Sequence, residues 1–149
     1  MRIVVVEDEA PIREGMAKLL SKINPEYELV GKAADGEAGY QLIRELNPDL
    51  VIMDIRMPKM DGIAMMKKLR EENIKCKAII LSAYSEFQYA QKAIELKADS
   101  YLLKPIKIPV LKSALKQAER EISEDQGTEQ IFSVENLSLI HISEPTRRS

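Results

Sequence analysis

Four short apolar runs in this chain are each followed at once by residues suited to chemistry. These residues are Glu7 and Asp8 after Ile3–Val6, Asp54 after Leu50–Met53, Ser82 after Ala78–Leu81, and Lys104 after Tyr101–Leu103. Runs of this length, rich in Val and Ile, are typical of strands buried on both faces of a parallel sheet. Ligands bind such sheets outside the carboxyl ends of the strands. The sequence therefore predicts one edge where carboxylates, a hydroxyl and an amine meet, a site suited to a divalent cation and a phosphoryl group.

The bulk composition excludes several classes of protein. A length of 149 residues suggests one domain with a full core, and a net charge of −2 gives no reason to expect binding to nucleic acid or an anionic membrane. The single Cys76 cannot form an internal disulfide, which favours a reducing, cytoplasmic home. Met1-Arg2 leads straight into the first strand, so we expect no signal peptide. No apolar stretch approaches the roughly 20 residues of a membrane span.

Residues 1–122 alternate between strand and helix patterns. The expected strands cover about 2–6, 27–33, 50–53, 78–81 and 100–103, and a helical pattern follows each of them. This alternation predicts a parallel sheet with helices on both faces. The best match is a flavodoxin-like, doubly wound α/β fold with strand order 2-1-3-4-5 and five helices.

Residues 123–149 differ from the rest of the chain. They show no sustained helical period, and we expect a poorly ordered linker or a non-native tail. The stretch from Leu139 to Arg148 resembles translated sequencing-adapter read-through, in which case the natural protein continues differently from this point. The alternative is a genuine short tail.

The polar residues at the predicted edge divide into candidate roles. Glu7, Asp8 and Asp54 offer the oxygen ligands that Mg²⁺ prefers, although carboxylates at strand ends can also be simple loop caps. Asp54 is the candidate nucleophile toward phosphorus, since a carboxylate can form an acyl phosphate. Lys104 can neutralise phosphoryl oxygens and Ser82 can donate a hydrogen bond to one. The Lys104–Pro105 peptide could be cis, which sequence alone does not decide.

These residues lie in motifs that resemble the receiver domain of two-component response regulators, over about residues 2–122. The matching segments are Val5–Glu9, Asp49–Pro58 with Asp61-Gly62, Leu81–Ala83 and Tyr101–Pro105. The resemblance implies that Asp54 accepts a phosphoryl group from a histidine of a sensor kinase. It also implies that Asp8, Asp54 and the backbone carbonyl of Arg56 bind Mg²⁺, with Glu7 acting through water. Lys104 would contact the phosphoryl group.

The resemblance further implies a switch pair, Ser82 and Tyr101, in which Ser82 moves toward the phosphoryl group and Tyr101 turns inward. An aromatic residue in a strand can equally be ordinary packing. Arg56 and Tyr84 flank the site in this family, and both are bulky here, so we expect slow self-dephosphorylation. Apart from self-phosphorylation and this slow loss, we expect no enzymatic activity.

The predicted fourth helix resembles that of receivers that precede an AraC-type DNA-binding domain. Its spacing places Ala90, Ala93 and Ile94 in the core and leaves Phe87 and Tyr89 partly exposed. The family's usual dimerisation and output surface is formed by the fourth helix, fifth strand and fifth helix. A homodimer through this face is therefore a candidate assembly.

Three functions compete for this chain. The first is a receiver cut from a DNA-binding transcription regulator, and the second is a single-domain receiver that relays phosphate or binds a partner protein. The third, a Mg²⁺-dependent phosphohydrolase of the dehalogenase type, needs an aspartate pair after the first strand that Glu7-Asp8-Glu9 does not provide. The chain shows no basic stripe or recognition helix, so we expect no nucleic-acid binding by this fragment. Its one histidine, His141, lies in the tail and does not suggest a histidine kinase.

Overall fold

The computed structural model describes residues 1–83 and 87–134, with side chains described for 1–83 and 88–125. Strands and helices alternate along the described chain. In order, they are β1 (Arg2–Val6), α1 (Ala10–Ile23), β2 (Glu28–Ala33), α2 (Gly36–Leu46), β3 (Leu50–Asp54), α3 (Gly62–Glu71), β4 (Lys77–Ser82), α4 (Phe87–Glu95), β5 (Ser100–Leu103) and α5 (Ile108–Val134). None of the described helices is long and apolar enough to cross a membrane.

The five strands form one parallel sheet in the order β2-β1-β3-β4-β5. The predicted flavodoxin-like order and the alternation with five helices are thereby confirmed. β1, β3 and β4 are central and almost wholly buried, as their unbroken apolar runs require. β2 and β5 form the two edges and are more exposed, which agrees with the weaker apolar character of the second strand.

Short polar signals set the starts of two helices. The Asp35 carboxylate accepts a hydrogen bond from the backbone N–H of Ala38 at 2.8 Å, and the Asp61 carboxylate accepts one from Ala64 at 2.8 Å. Each aspartate is the N-cap of its helix, α2 or α3, and satisfies an N–H that has no partner within the helix. The loop between β3 and α3 thus ends at Asp61, whose side chain fixes the residue where α3 begins.

One side chain, Arg70, binds both the segment that leads into β4 and the carboxyl end of α4. Its Nε donates to the carbonyl of Leu96 at 2.9 Å and its Nη1 donates to the carbonyls of Ile74 at 2.9 Å and Cys76 at 3.0 Å. Its Nη2 donates to the carbonyl of Lys97 at 3.3 Å. A cation is favourable at a helix carboxyl end, where the last carbonyls lack partners within the helix.

Two expectations from the sequence differ from the structure. Ile94, which helical spacing places in the core, is 74% exposed, and Ala93 is the buried residue beside it. α5 continues to Val134, past the end expected near residue 122, because no proline interrupts the segment and its Glu and Gln residues are compatible with a helix. The chain divides into two compact units, Met1–Leu115 and Lys116–Ser149, so the division falls within α5. The domain boundary at residue 122 stays a prediction, and residues 135–149 lie outside the described part of the chain.

Candidate metal and phosphoryl-acceptor site

The strand ends bring the predicted site residues to one edge of the sheet. Glu7 and Asp8 directly follow β1, Asp54 is the last residue of β3, Ser82 is the last of β4, and Lys104 directly follows β5. The register of the parallel pairs continues to the strand ends, where Asp54 is opposite Leu81 and Ser82 is opposite Leu103. The expected meeting of carboxylates, hydroxyl and amine therefore follows from the strand order itself.

Lys104 lies between two buried carboxylates. Its Nζ is 3.0 Å from Glu7 Oε1 and 3.1 Å from Asp54 Oδ2, and it donates a hydrogen bond to each. Glu7 is 3% exposed and Asp54 is 8% exposed, so neither carboxylate is well hydrated. A cation at this distance from both oxygens compensates their charge, which burial alone would make costly.

Burial and the ion pairs act in opposite directions on the pKa values of these groups. Burial raises the pKa of Glu7, and the hydrogen bond from Lys104 only partly offsets this. Burial by itself would lower the pKa of Lys104, but the hydrogen bonds to Glu7 and Asp54 outweigh it and the pKa is raised. Lys104 is therefore charged at neutral pH, and Glu7 is held as a carboxylate less firmly than an exposed glutamate.

Three carboxylates at this edge could hold a metal ion. Glu7, Asp8 and Asp54 each offer an oxygen, and the three oxygens lie within 4.8 Å of one another. Glu7 and Asp54 are buried while Asp8 is exposed, so the cluster is open to solvent on one side. An all-oxygen donor set with access for water fits a hard divalent cation, which keeps several water ligands.

The backbone around Asp54 is closely packed. Asp54 Oδ1 accepts a hydrogen bond from the N–H of Ile55 at 2.8 Å, while Oδ2 accepts from Lys104. The N–H of Gly62 donates to the carbonyl of Ile55 at 2.7 Å, which folds the loop back over the end of β3. A Cβ on Gly62 would lie 2.2 Å from the Asp54 carbonyl oxygen, so only glycine fits there. Both the carboxylate and the backbone of Asp54 are thus fixed in place.

The two residues of the expected switch pair lie on adjacent strands. Ser82 is fully buried, and β4–β5 pairing places Tyr101 opposite Ile80, two residues before Ser82 on the same face. Tyr101 is partly buried and packs against the core. Their proximity meets the condition for a switch, while the switching itself stays a prediction. The Lys104–Pro105 peptide bond is cis.

Arg56 connects the site loop to α4. Its guanidinium is exposed, and Nη1 donates to the Tyr89 hydroxyl at 3.4 Å. Tyr89 is partly buried against the core, as its place on the fourth helix suggested. The metal-ligand role of the Arg56 carbonyl stays a prediction. Tyr84 lies outside the described residues, and so does the side chain of Phe87.

Arg13 was not among the candidate residues from the sequence. It belongs to the first turn of α1, and its Nη1 donates to the backbone carbonyl of Glu7 at 2.7 Å. Such a contact depends on how α1 returns over the end of β1, which periodicity does not specify. The one available signal was an arginine in the first turn of the helix that follows an acidic strand end.

Large apolar side chains are exposed on the elements around β5. They belong to α4, to the end of β5 and to the start of α5: Ile94, Leu103, Ile108 and Val110. Exposed apolar side chains are typical of contact surfaces when they cluster. These residues belong to the three elements that the family resemblance implies as an output surface.

The family model and the curated relatives that match this chain belong to the same family. The model described as "Response regulator receiver domain" matches residues 3–116. Among curated relatives, the nitrate/nitrite response regulator protein NarL of Escherichia coli (strain K12) is 34% identical over 116 residues, which are 78% of this chain and 53% of NarL. The transcriptional regulatory protein YdfI of Bacillus subtilis (strain 168) is 38% identical over 103 residues, 69% of this chain and 47% of YdfI. This chain thus spans about half the length of these relatives.

Solved structures agree with the same family. The REC domain of AraT, a response regulator from Geobacillus stearothermophilus, superposes with a TM-score of 0.75 at 35% identity, covering 84% of this chain and 97% of that one. A DNA-binding response regulator of the LuxR family from Staphylococcus aureus gives 0.74 at 28% identity, covering 78% and 97%. The comparisons do not support the AraC-type context suggested by the fourth helix. From the matched residues and the strand order, this chain belongs to the response regulator receiver domain family.

Proposed function

We propose that Asp54 is the phosphoryl acceptor of this receiver and that its donor is a phosphohistidine of a sensor kinase. The observation that carries the proposal is the position of Lys104, whose ammonium lies 3.1 Å from an Asp54 carboxylate oxygen and 3.0 Å from Glu7. A lysine fixed beside a buried carboxylate can neutralise phosphoryl oxygens as they arrive. Ordinary surface lysines are not held in this way.

Asp54, Lys104 and Ser82 have separate roles in the transfer step. An Asp54 oxygen forms a bond to phosphorus while the bond from phosphorus to the donor nitrogen breaks, and the imidazole leaves with the electron pair. Lys104 balances the charge on the phosphoryl oxygens, and the Ser82 hydroxyl donates a hydrogen bond to one of them. Because little covalent chemistry is asked of the protein, positioning and charge neutralisation account for most of the rate.

We propose Mg²⁺ as the ion of the acidic cluster, held by Asp8, Asp54 and the backbone carbonyl of Arg56, with Glu7 acting through water. When bound, the ion neutralises phosphoryl charge and orients the group for in-line attack. Beyond self-phosphorylation from small donors and slow self-dephosphorylation, the chain has no enzymatic activity of its own. The bulk of Arg56 at the site supports the slow loss, because a large side chain hinders the attacking water.

Phosphorylation then changes the face formed by α4, β5 and α5, with Ser82 and Tyr101 as the linked pair. Exposed Ile94 and Leu103 support a contact role for this face, including a homodimer. In the full-length protein the face controls a transcription-regulating output domain that binds DNA. Sequencing the native gene past residue 136 identifies that domain as AraC-type, LuxR-type or absent.

A direct test incubates the chain with acetyl phosphate in the presence and absence of Mg²⁺. The wild-type chain is expected to gain one phosphoryl group by intact mass, only with Mg²⁺. Asp54→Asn should gain none, and Glu71→Gln, which alters an exposed carboxylate on α3, should behave as wild type. Labelling of Asp54→Asn at the wild-type level would refute the assignment.

A further inference from the structure

Arg13 contacts the peptide group that joins the two acidic residues directly after β1. Its Nη1 donates to the carbonyl oxygen of Glu7 at 2.7 Å, and that carbonyl belongs to the Glu7–Asp8 peptide. The contact is short, partly buried and charge-assisted, which makes it stronger than a neutral hydrogen bond. The backbone N–H of Arg13 donates to the carbonyl of Glu9 at 2.9 Å, so the residue is fixed in the first turn of α1.

The backbone of Glu7 is held from two sides. Its N–H donates to the carbonyl of Ala33 at the end of β2, at 3.0 Å, and its carbonyl accepts from Arg13. The Glu7 side chain in turn accepts a hydrogen bond from the N–H of Glu9 at 3.2 Å. The preceding peptide is thus held at the Glu7 N–H and the Glu7–Asp8 peptide is held at its carbonyl by Arg13, and together these contacts restrict where the Cα of Asp8 lies.

We propose that Arg13 is a positioning residue of the metal site: by binding the Glu7 carbonyl it fixes the Glu7–Asp8 peptide and so places the Asp8 carboxylate beside Asp54. This inference rests on the proposed function of the acidic cluster. Asp8 is the exposed member of that cluster, so its neighbours provide little packing to hold it in place. Residues that orient metal ligands without touching the ion typically change affinity by about 10- to 100-fold when removed.

The positive charge of Arg13 offers an alternative explanation for its effect on metal affinity, and this alternative predicts a change of the opposite sign. A guanidinium near a cation site repels the cation, so loss of the charge alone should tighten binding. Loss of positioning should weaken it, because Asp8 is no longer held near the other two carboxylates. The two explanations therefore predict opposite signs for the same substitution.

The test is a Mn²⁺ titration of the full chain, followed by electron paramagnetic resonance. Arg13→Met is expected to weaken binding about ten-fold relative to wild type. Arg13→Lys, which keeps a cationic donor on a shorter reach, should lie between the two. Lys18→Met removes a cation from an exposed position of the same helix and should leave the affinity unchanged. Equal or tighter binding by Arg13→Met overturns the proposal.

Two further readouts separate positioning from loss of folding and from failure of the proposed function. Without metal, the amides of Asp8 and Glu9 in Arg13→Met should exchange hydrogen faster, while those of Ile79 and Ile80 keep wild-type protection. Uniform acceleration would show general destabilisation and overturn the proposal.

In acetyl phosphate labelling, the Mg²⁺ concentration for half-maximal rate should rise about ten-fold with the saturated rate unchanged. A wild-type chain that takes no label refutes the proposed function, whereas a labelled chain with an unchanged half-maximal concentration refutes only the role of Arg13.

Discussion

Replacing Lys104 with methionine tests how the buried carboxylates are tolerated. The ammonium lies within 3.1 Å of oxygens of both Glu7 and Asp54, and its side chain is only 17% exposed. Methionine has a similar length and fills the same space without the charge. The substitution therefore leaves two carboxylates facing each other with little water and, in the absence of metal, without their shared cation.

The expected cost follows from this geometry. Removing one partner of a buried ion pair costs about 3–5 kcal/mol, because the remaining charge stays buried. Asp8 leaves the cluster open to solvent on one side, so we expect the lower end, about 3 kcal/mol at pH 7. For a domain of this size that corresponds to a fall in Tm of about 10 °C.

The deficit should depend on pH with a definite sign. Burial already raises the pKa of Glu7, and loss of Lys104 raises it further. A carboxyl whose pKa is raised by folding destabilises the fold when it ionises, so the penalty grows as pH rises through the folded-state pKa and vanishes below the unfolded value, about 4.3. The difference between wild type and Lys104→Met should therefore shrink from pH 7 toward pH 4.5. Added Mg²⁺ should shrink it at pH 7 as well.

The assay is urea denaturation at pH 7 and pH 4.5, with and without Mg²⁺. Lys107→Met is the matched control, because Lys107 is an exposed lysine in the same loop. A loss below about 1 kcal/mol at pH 7, typical of a surface ion pair, would show that the carboxylates do not depend on Lys104. A loss equal at both pH values would also refute the reasoning, since the carboxylate charge would then not be its cause.

Three further predictions concern the surrounding fold. Gly62→Ala should destabilise by about 2 kcal/mol and slow labelling of Asp54, because its Cβ would lie 2.2 Å from a backbone oxygen; wild-type urea midpoints would contradict this. Asp35→Ala should cost about 1 kcal/mol by removing the α2 N-cap, and Asp35→Asn should restore most of it. Burial raises the pKa of the Cys76 thiol, so iodoacetamide at pH 7 should react slowly with native protein and rapidly in urea. Equal alkylation rates in both would argue against a buried thiol.

The fold and the meeting of Glu7, Asp54 and Lys104 could be predicted from the sequence, because both follow from where the strands lie and where they end. Apolar runs identify the central strands, and a parallel sheet necessarily brings their carboxyl ends together. Glu7, Asp54 and Lys104 were therefore predictable as neighbours before any distance was known. The closeness of Lys104 to both carboxylates, about 3 Å in each case, is what only the structure provides.

The features that the sequence did not predict correctly also have physical explanations. Ile94 and Ala93 are adjacent on α4, and helical periodicity does not decide which of two neighbours faces the sheet. The apolar pattern predicts an end of α5 near residue 122, but no proline follows there to stop the helix, and α5 continues to Val134. Arg13 and Arg70 act on backbone carbonyls of other segments, and such contacts depend on helix placement, which a pattern of apolar residues does not encode.

The arrangement of Arg70 has a mechanical consequence for α4. Its guanidinium binds the carbonyls of Leu96 and Lys97, just past the helix end, and those of Ile74 and Cys76, which lead into β4. The far end of α4, away from the phosphoryl site, is thus attached to the same frame that carries the sheet. If α4 moves in response to phosphorylation, we expect the movement to be a tilt about this attachment. The displacement should then increase along the helix toward its first turn, which lies nearest the carboxyl ends of the strands.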